Sequence, residues 1–219
     1  MLPDGMRSKN GDEDGLLITI EGGHGCGKSA ISSMLCKRLR DLGLQVIETA
    51  DQQGTNVGRR IVKINLEHRS EAIVPLTEAL LIAAASHQNV EEVIKPNLKH
   101  GKIVVCERYN DAFFVFQGFA RGLPQGLLRC ISDAVTDGIT PDLTILLDAD
   151  PRIALARIEV RQRHRIEREA LGFHEKVRNG YLALAKEHPE RIEVFEASLP
   201  LNVVFQNVWE RVKKLVLPV

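Results

Sequence analysis

Residues 22–29 constrain the fold most strongly, because they read Gly-Gly-His-Gly-Cys-Gly-Lys-Ser and fit the pattern GxxxxGK[ST]. They follow a short apolar run at residues 16–20 and precede residues whose apolar side chains recur at helical spacing from Ile31 to Leu42. A glycine-rich turn between a strand and a helix points backbone N–H groups at a phosphate, and the helix adds its positive end. The segment therefore predicts a phosphate-binding loop within an α/β fold.

This loop predicts specific contacts with a nucleotide. Lys28 would bridge the β- and γ-phosphates of the donor, and the Ser29 hydroxyl would be a ligand of Mg²⁺. We expect ATP as the donor, although the loop alone leaves GTP open. Without nucleotide, we expect Lys28 to face solvent. The expected donor-binding residues are Gly22, Gly23, His24, Gly25, Cys26, Gly27, Lys28, Ser29 and Ala30.

Strand and helix patterns alternate along the chain, which is typical of a parallel sheet covered by helices on both faces. We therefore predict a fold of the α/β class with a five-stranded parallel sheet. Pro96 is expected near a kink or break in a long helix. The predicted strands are residues 16–20, 45–49, 102–106, 143–147 and 192–196, and the predicted helices are residues 31–42, 76–98, 127–135, 152–163, 166–186 and 201–216.

The composition is that of one globular domain, since 44% of the 219 residues are hydrophobic. We predict this domain over residues 15–219, after a disordered polar tail at residues 1–14. The 29 basic residues balance the 29 acidic residues, so the overall charge does not favour nucleic acid, and no apolar run is long enough to span a membrane. Four cysteines without metal-binding spacing predict reduced thiols, and the start of the chain lacks a leader pattern, so we expect a cytoplasmic protein.

Further motifs are spread from about residue 16 to the C-terminus. They include Glu107-Arg108-Tyr109, Phe116-Gln117-Gly118 and a strand that ends in Leu-Leu-Asp148. With the phosphate-binding loop, these segments resemble the thymidylate kinase family, which implies a P-loop kinase fold. The matching segments are residues 20–29, 75–81, 90–96, 107–109, 116–118, 141–148, 165–167, 173–178 and 180–181.

On the donor side, the resemblance implies a complete set of residues. A short lid over about residues 157–165 is expected to close over ATP and to bring arginines to the transferred phosphoryl group. Arg161 and Arg165 are four positions apart, so on a helix they would share one face. Both are predicted to be catalytic, together with Lys28. Glu107, where the family has aspartate, is predicted to act in catalysis by holding Mg²⁺ and its waters.

The acceptor side departs from the family pattern. Ala50 stands where the family has an arginine that holds the acceptor phosphate, and Asp51 retains a neighbouring carboxylate. Ile82 and Ser86 stand where the family has a phenylalanine that stacks on thymine and an arginine that bonds its carbonyl group. Arg108 is the clear phosphate-binding residue on this side. The predicted substrate-binding residues are therefore Asp51, Ile82, Ser86 and Arg108.

These departures leave three functions open. The first is a kinase of thymidylate or another nucleoside monophosphate. The second is a kinase of a nucleoside or another hydroxyl compound, for which Ala50 and a base at Asp51 would suit. The third is a nucleotide-binding regulatory protein, against which the lid arginines argue. Since His24 also replaces an aspartate near the acceptor sugar, we expect thymidine monophosphate to be a poor acceptor. The expected partner is a small molecule, and the resemblance implies a homodimer.

Overall fold

Five parallel strands form the centre of the molecule in a computed structural model that describes residues 15–67, 72–159 and 164–217. The strands lie in the order β2-β3-β1-β4-β5, and every neighbouring pair is parallel. The predicted five-stranded parallel sheet is thus confirmed. The strands are β1 (Leu16–Gly22), β2 (Val46–Ala50), β3 (Ile103–Glu107), β4 (Leu143–Asp148) and β5 (Ile192–Glu196).

Helices follow or precede each strand, as the alternating pattern predicts. Two π-helical segments, Val90–Ile94 and Phe114–Ala120, and a 3₁₀ turn at Ile166–Arg168 interrupt the α-helices. In the described residues, the α-helices are α1 (Lys28–Asp41), α2 (Asn56–Leu66), α3 (Pro75–Asn89), α4 (Lys95–Lys99), α5 (Asn110–Phe113), α6 (Gln125–Thr136), α7 (Pro151–Ala156), α8 (Leu171–Glu187) and α9 (Leu201–Val216).

The two faces of β1 pack against different helices. Leu16, Ile18 and Ile20 belong to a hydrophobic core with α1 and α9. Leu17 points to the opposite face and belongs to a second core with α4 and the π-helical segment Val90–Ile94. Because both faces are covered, the strand is a nearly continuous apolar run rather than an alternating one.

Helix α2 lies where the sequence pattern predicts none. It begins after Thr55, whose hydroxyl oxygen accepts the Gly58 N–H at 2.9 Å and caps the helix. Its apolar Val57 and Ile64 are exposed, whereas Gly58 and Asn65 are buried beside Val62. Hydropathy therefore marks the buried face only in part, and the capping threonine is the clearer sequence signal.

The helices predicted around the lid are shorter in the structure. Helix α7 ends at Ala156 rather than at Arg163, and residues 160–163 lie outside the described residues. The helix predicted over residues 166–186 is also divided. Glu169 and Ala170 have ψ angles of 154° and 151°, which are extended values that separate the 3₁₀ turn from α8.

The long predicted helix over residues 76–98 is continuous but changes its hydrogen-bond pattern near Pro96. The π-helical segment Val90–Ile94 lies just before α4, in which Pro96 occupies the first turn. Proline lacks an N–H group, and its ring crowds the preceding turn. A wider π turn accommodates the ring without breaking the helix, so the expected irregularity is present.

In the described parts of the chain, no helix is both long and apolar enough to cross a lipid bilayer. Residues 1–14 lie outside the described residues. The disorder predicted for this tail therefore stays a prediction.

Candidate active site

At Gly22 and Gly25 of the phosphate-binding loop, both the backbone conformation and the lack of space require glycine. Gly22 and Gly25 have φ angles of 137° and 77°, which glycine adopts readily and other residues do not. A Cβ atom at Gly22 would lie 2.4 Å from the carbonyl oxygen of Leu147, and one at Gly25 would lie 2.0 Å from that of Ala154. These close approaches fit the loop tightly against β4 and α7.

Lys28 lies at the first position of α1, whose N-terminus has no side-chain cap. The uncapped N–H groups and the helix dipole favour an anion there. The expectation that Lys28 faces solvent is wrong, because its side chain is buried and its Nζ donates to the carbonyl oxygen of Gly23 at 2.7 Å. Burial lowers the pKa of Lys28 to about 8, and the positive charge of Arg108 adds to this effect.

Ser29 and Glu107, the two predicted Mg²⁺ ligands, are in direct contact. The Ser29 hydroxyl donates a hydrogen bond of 2.7 Å to Oε2 of Glu107. Glu107 is the last residue of β3, and strand pairing sets it beside Ile20 of β1, next to the loop. A hydroxyl and a carboxylate are oxygen donors of the kind that Mg²⁺ prefers, so the donor set fits this ion.

Arg108 is held in one orientation at the start of the acceptor side. Its φ angle of 63° is unusual for a residue with a side chain, and its N–H donates to the carbonyl oxygen of Ile20 at 2.9 Å. The guanidinium group donates to the Gly22 carbonyl oxygen and the Tyr181 hydroxyl, both at 3.1 Å, and lies 4.9 Å from the centre of the Phe116 ring. Arg108 is therefore preorganised to receive an anion.

Glu21, for which the sequence predicted no role, helps to hold Arg108 in this orientation. Its carboxylate is fully buried and accepts the N–H groups of Tyr109 and Ala112 at 2.7 and 3.3 Å and the Tyr181 hydroxyl at 2.7 Å. Burial raises the pKa of Glu21 to about 8, although Arg108 opposes the shift. Glu21 thus positions Arg108 through Tyr181, and an acidic residue within an apolar strand was the available signal.

A cavity of about 810 Å³ lies beside the loop on the donor side. Its far wall includes residues 197–201, which connect β5 to α9, together with Arg157 and Ile158. Arg157 belongs to the predicted lid and donates to the carbonyl oxygen of Ala197 at 2.9 Å. Arg161 lies outside the described residues, so its catalytic role stays a prediction.

A second cavity of about 270 Å³ lies on the acceptor side of the loop. Its apolar wall includes Ile82, Phe113 and Phe116, and its polar wall includes Asp51 and Arg108. Three of the four predicted substrate-binding residues therefore line one cavity. The two phenylalanine rings supply aromatic surface where the sequence lacks the usual stacking residue.

Ser86, the fourth predicted substrate-binding residue, does not line this cavity but lies behind Asp51. Its hydroxyl donates to Oδ2 of Asp51 at 2.7 Å, which orients the carboxylate, and Oδ1 is buried without a hydrogen-bond partner in the described residues. Burial raises the pKa of Asp51 to about 6, against the opposing effects of Ser86 and Arg108. Ser86 thus positions a carboxylate of the cavity wall.

Arg165 does not line the donor cavity, and its catalytic role stays a prediction. It pairs with Glu78 of α3 and donates to the backbone and side-chain oxygens of Asn65 at 3.0 and 3.2 Å. Glu78 is 2% exposed and needs cations because a buried carboxylate is costly without them. Burial raises the pKa of Glu78, but hydrogen bonds from Gln117, Arg165 and Arg121 hold it below its ordinary value.

Arg165 lies in a turn before the 3₁₀ segment, and helix α7 ends nine residues earlier, at Ala156. Arg161 lies outside the described residues. The helical face that Arg161 and Arg165 were expected to share therefore stays a prediction.

His24 of the loop contacts two residues near the end of the lid. Its Nδ1 lies 3.2 Å from Oε1 of Glu167, and Nε2 of His164 lies 3.3 Å from the same oxygen. The His24 ring also meets the rings of Phe116 and His174 edge-on, with centroid distances of 5.6 and 6.0 Å. Burial lowers the pKa of His24, so the ring is neutral near pH 7.

The donor and acceptor cavities share one wall, which identifies where two ligands would meet. The phosphate-binding loop, the end of β3 and the lid all contribute to it. The residues that line both cavities are His24, Ser29, Gln53, Glu107, Arg108 and His164.

Known proteins resemble this chain over most of its length. The thymidylate kinase family model matches residues 20–208. A thymidylate kinase of Dehalococcoides mccartyi strain CBDB1 is 41% identical over 197 residues, which cover 90% of this chain and 95% of the relative. A thymidylate kinase of Deinococcus radiodurans is 42% identical over 201 residues, which cover 91% of this chain and 97% of the relative.

A solved structure has the same fold. The crystal structure of thymidylate kinase from Ehrlichia chaffeensis aligns with a TM-score of 0.74 at 26% sequence identity, and the alignment covers 90% of this chain and 98% of that one. The sequence match, the fold and the paired cavities agree. The chain therefore belongs to the thymidylate kinase family of nucleotide kinases.

Proposed function

We propose that the chain transfers the γ-phosphate of ATP to a nucleoside monophosphate, the acceptor class to which thymidylate belongs. The shared wall of the two cavities carries this proposal, because phosphoryl transfer needs a donor and an acceptor held in line at one point. Relatives named thymidylate kinase, at about 40% identity, support the same acceptor class.

Residues of the loop and the first turn of α1 hold the donor phosphates in this proposal. The open N–H groups of α1 bind phosphate oxygens, and Lys28 moves its ammonium group from the Gly23 carbonyl oxygen to the β- and γ-phosphates. Arg157, at the donor cavity, is placed to contact the nucleotide. The charge that spreads over the transferred phosphoryl group is thereby met by fixed positive groups.

Ser29 and Glu107 would hold Mg²⁺, as their 2.7 Å contact and oxygen chemistry allow. When bound, this ion neutralises charge on the β- and γ-phosphate oxygens. Glu107 also belongs to the shared wall, so its carboxylate lies where donor and acceptor meet.

Arg108 and Asp51 would bind the acceptor. The fixed Arg108 guanidinium attracts an acceptor phosphate, and the free Oδ1 of Asp51 accepts a hydrogen bond from an acceptor group. Ile82, Phe113 and Phe116 exclude water from one side of the acceptor. Since Ala50 offers no charge, the phosphate is held by fewer cations than in the family pattern.

A panel of acceptors tests the proposal. The untagged chain is incubated with ATP and Mg²⁺, and ADP release and labelled product are followed for thymidine monophosphate, other nucleoside monophosphates, thymidine and water. We expect a nucleoside diphosphate as the main product. ADP release that is equal with and without any acceptor would contradict the assignment and favour a regulatory ATPase.

A second function, phosphorylation of a nucleoside hydroxyl, is favoured by one specific observation. Asp51 is a buried carboxylate that lines the acceptor cavity and has one oxygen without a hydrogen-bond partner in the described residues, and its pKa of about 6 suits a general base near neutral pH. Thymidine as the best acceptor, with the monophosphate as product, would establish this alternative. The Asp51→Asn variant would then lose turnover rather than acceptor affinity.

We also propose a homodimer through α3 and α6, which pack against each other. Leu76 and Leu80 of α3 and Leu127 of α6 are 43%, 51% and 38% exposed, and exposed leucines on neighbouring helices favour a partner surface. Sedimentation of the wild type should give twice the chain mass, and Leu80→Glu should give monomers. Leu42→Glu, at the end of α1, serves as the control.

The cytoplasm remains our proposed compartment. Cys26, Cys36 and Cys106 are buried free thiols, and Cys130 is an exposed free thiol. Free thiols are usual in a reducing compartment. Localisation of the tagged chain in cells tests the proposal.

A further inference from the structure

We infer that His24, His164 and Glu167 form a binding site for a divalent transition metal of the Zn²⁺ class, which joins the lid to the phosphate-binding loop. The proposal goes beyond phosphoryl transfer, in which this ion takes no part. It rests on the convergence of three metal-binding side chains from two separate segments.

The distances between the ligand atoms support a metal centre. His24 Nδ1 and His164 Nε2 lie 3.2 and 3.3 Å from Oε1 of Glu167. Ligands about 2.0–2.1 Å from a tetrahedral zinc ion lie about 3.3 Å from one another. Two of the three separations therefore match a tetrahedral site, and all three ligand atoms lie within 4.8 Å of one another.

Contacts around the cluster hold the ligands in these orientations. The backbone N–H of His164 donates to Oε2 of Glu167 at 3.1 Å, which turns Oε1 toward the two rings. The rings of Phe116 and His174 pack edge-on against His24. Hydrogen bonds and packing that orient the ligands are a regular feature of metal sites, and here they precede any ion.

The ligand chemistry selects the class of metal. Two imidazoles and one carboxylate suit Zn²⁺ and related transition metals, whereas Mg²⁺ prefers oxygen ligands. Lys28 and Arg108 are nearby positive charges that oppose a dication, and the Glu167 carboxylate offsets one of them. His24 and Glu167 have side chains that are 13% and 12% exposed, so the site is shielded from bulk water.

The position of the cluster suggests what the metal does. His24 belongs to the loop, His164 lies at the end of the predicted lid, and Glu167 lies in the 3₁₀ turn that follows. All three ligands line the donor cavity, so water can complete the coordination of the ion. A bound ion would thus tie the segment that carries His164 and Glu167 to the phosphate-binding loop.

Metal binding to the untagged full chain tests the inference without nucleotide, so its failure is separate from a failure of the proposed kinase activity. The chain is stripped with chelator, then titrated with Zn²⁺ and, separately, with Co²⁺ in the presence of excess Mg²⁺. We expect one ion per chain and the visible absorption of four-coordinate Co²⁺. Loss of a single ligand should weaken binding by about 100-fold or more.

Glu167→Gln and His164→Asn are the main variants because they change partly exposed residues, and His24→Asn is the third. His188→Asn is the matched control, since His188 forms a His–Glu contact of 3.8 Å with Glu190. The proposal predicts loss of binding in the three variants and full binding in the control. No stoichiometric binding by the wild type, or equal binding by all variants, would overturn it. Circular dichroism checks that each variant is folded.

Discussion

Lys28 and Asp51 are ionisable residues buried in the site without a full set of partners. The ammonium group of Lys28 has a hydrogen bond to the Gly23 carbonyl oxygen, and Asp51 has a hydrogen bond from Ser86 but leaves Oδ1 unpaired. Burying such groups destabilises the folded chain. Residues that lower stability in this way are expected where ligands later supply the missing partners.

Replacing Lys28 with Met should abolish transfer while raising stability. The side chains are similar in length, so packing is kept, and the charge that stabilises the γ-phosphate is lost. We expect kcat to fall on the order of 10²–10³-fold. A Lys28 pKa lowered from 10.5 to about 8 corresponds to about 3 kcal/mol of penalty for the buried charge, so the melting temperature should rise.

The effect of Lys28 on folding stability should also change with pH in a defined direction. Since the folded pKa of Lys28 is below the unfolded one, the wild type gains stability relative to the variant as pH rises from about 8 to 10.5. Urea unfolding at pH 7 and pH 10 measures the difference, and Lys37→Met on the exposed face of α1 is the control. Wild-type turnover in Lys28→Met would contradict the phosphate-binding role.

Asp51 should make kcat/KM decrease at acid pH. If the ionised carboxylate binds the acceptor, kcat/KM should rise with pH up to about 6, the pKa to which burial raises this group, and then level off. The Asp51→Asn variant should have a lower kcat/KM that no longer rises with pH in this range. Rate profiles from pH 5 to 8 test this, and Glu48→Gln on β2 is the control. If kcat/KM of the variant still rises with pH as in the wild type, the pH dependence belongs to another ionisable group.

Asp51 also affects stability with a defined sign. Its folded pKa of about 6 lies above the ordinary value of 3.8. The folded chain therefore holds a proton more tightly, and the resulting stability is present below pH 3.8 and is lost as pH rises through about 6. The stability of Asp51→Asn relative to the wild type should accordingly increase over that range.

At the scale of elements, Glu78 joins three parts of the acceptor side. It lies on α3 and binds Gln117 of the π-helical segment, Arg121 after it, and Arg165 near the lid. A π-helical segment at a functional site re-aims side chains that an α-helix would place elsewhere. The cavity shape thus depends on contacts among elements that are far apart in sequence.

Arg161 and Arg165 should therefore differ when each is replaced by Ala. Arg165→Ala removes a partner of a buried carboxylate, so it should lower unfolding free energy by about 2 kcal/mol and raise the acceptor KM. Arg161→Ala, as the predicted phosphoryl-contacting change, should lower kcat by about tenfold or more with little effect on stability. Arg129→Ala, exposed on α6, is the control. Equal effects of both changes on kcat alone would contradict this division.

Sequence patterns predict some elements well and others poorly for physical reasons. The phosphate-binding loop and the strands have local signals, namely glycine spacing and apolar runs, and these features are confirmed. The contacts Glu78–Arg165 and His24–Glu167 join residues that are 87 and 143 positions apart. Such pairs depend on packing of the whole chain, which neither periodicity nor spacing contains, so the contact of Arg165 with Glu78 could not be predicted from the sequence.

At the scale of the whole molecule, the donor and acceptor sides differ in how far they follow the family pattern. The loop, Ser29 and Glu107 retain the donor chemistry, whereas Ala50, Ile82 and Ser86 replace an arginine, an aromatic ring and another arginine. If the chain had lost its enzymatic activity altogether, substitutions would be expected in both the donor site and the acceptor site. These three replacements lie in the wall of the acceptor cavity or directly behind it, so we predict a changed acceptor affinity or a changed acceptor.

Thymidine monophosphate should therefore be used less well by this chain than by the Dehalococcoides mccartyi relative. We expect kcat/KM below about 10⁵ M⁻¹s⁻¹, the lower part of the ordinary enzyme range. Ala50→Arg returns a cation to a half-buried position in the wall of the acceptor cavity. A charge-assisted hydrogen bond to phosphate contributes about 1.5–3 kcal/mol, so kcat/KM for thymidine monophosphate should rise at least about tenfold.

Thymidine, which lacks the phosphate, is the control acceptor for the expected rise in kcat/KM. Its kcat/KM should not rise in Ala50→Arg, because the new guanidinium has no anion to bind in this acceptor. Ala50→Gln, of similar bulk but without charge, is the matched control and should leave thymidine monophosphate use unchanged. High kcat/KM for the wild type, with no gain in Ala50→Arg, would show that Arg108 and the phenylalanine wall already form a complete thymidylate pocket. The prediction that thymidine monophosphate is a poor acceptor would then be wrong, while membership of the thymidylate kinase family would stand.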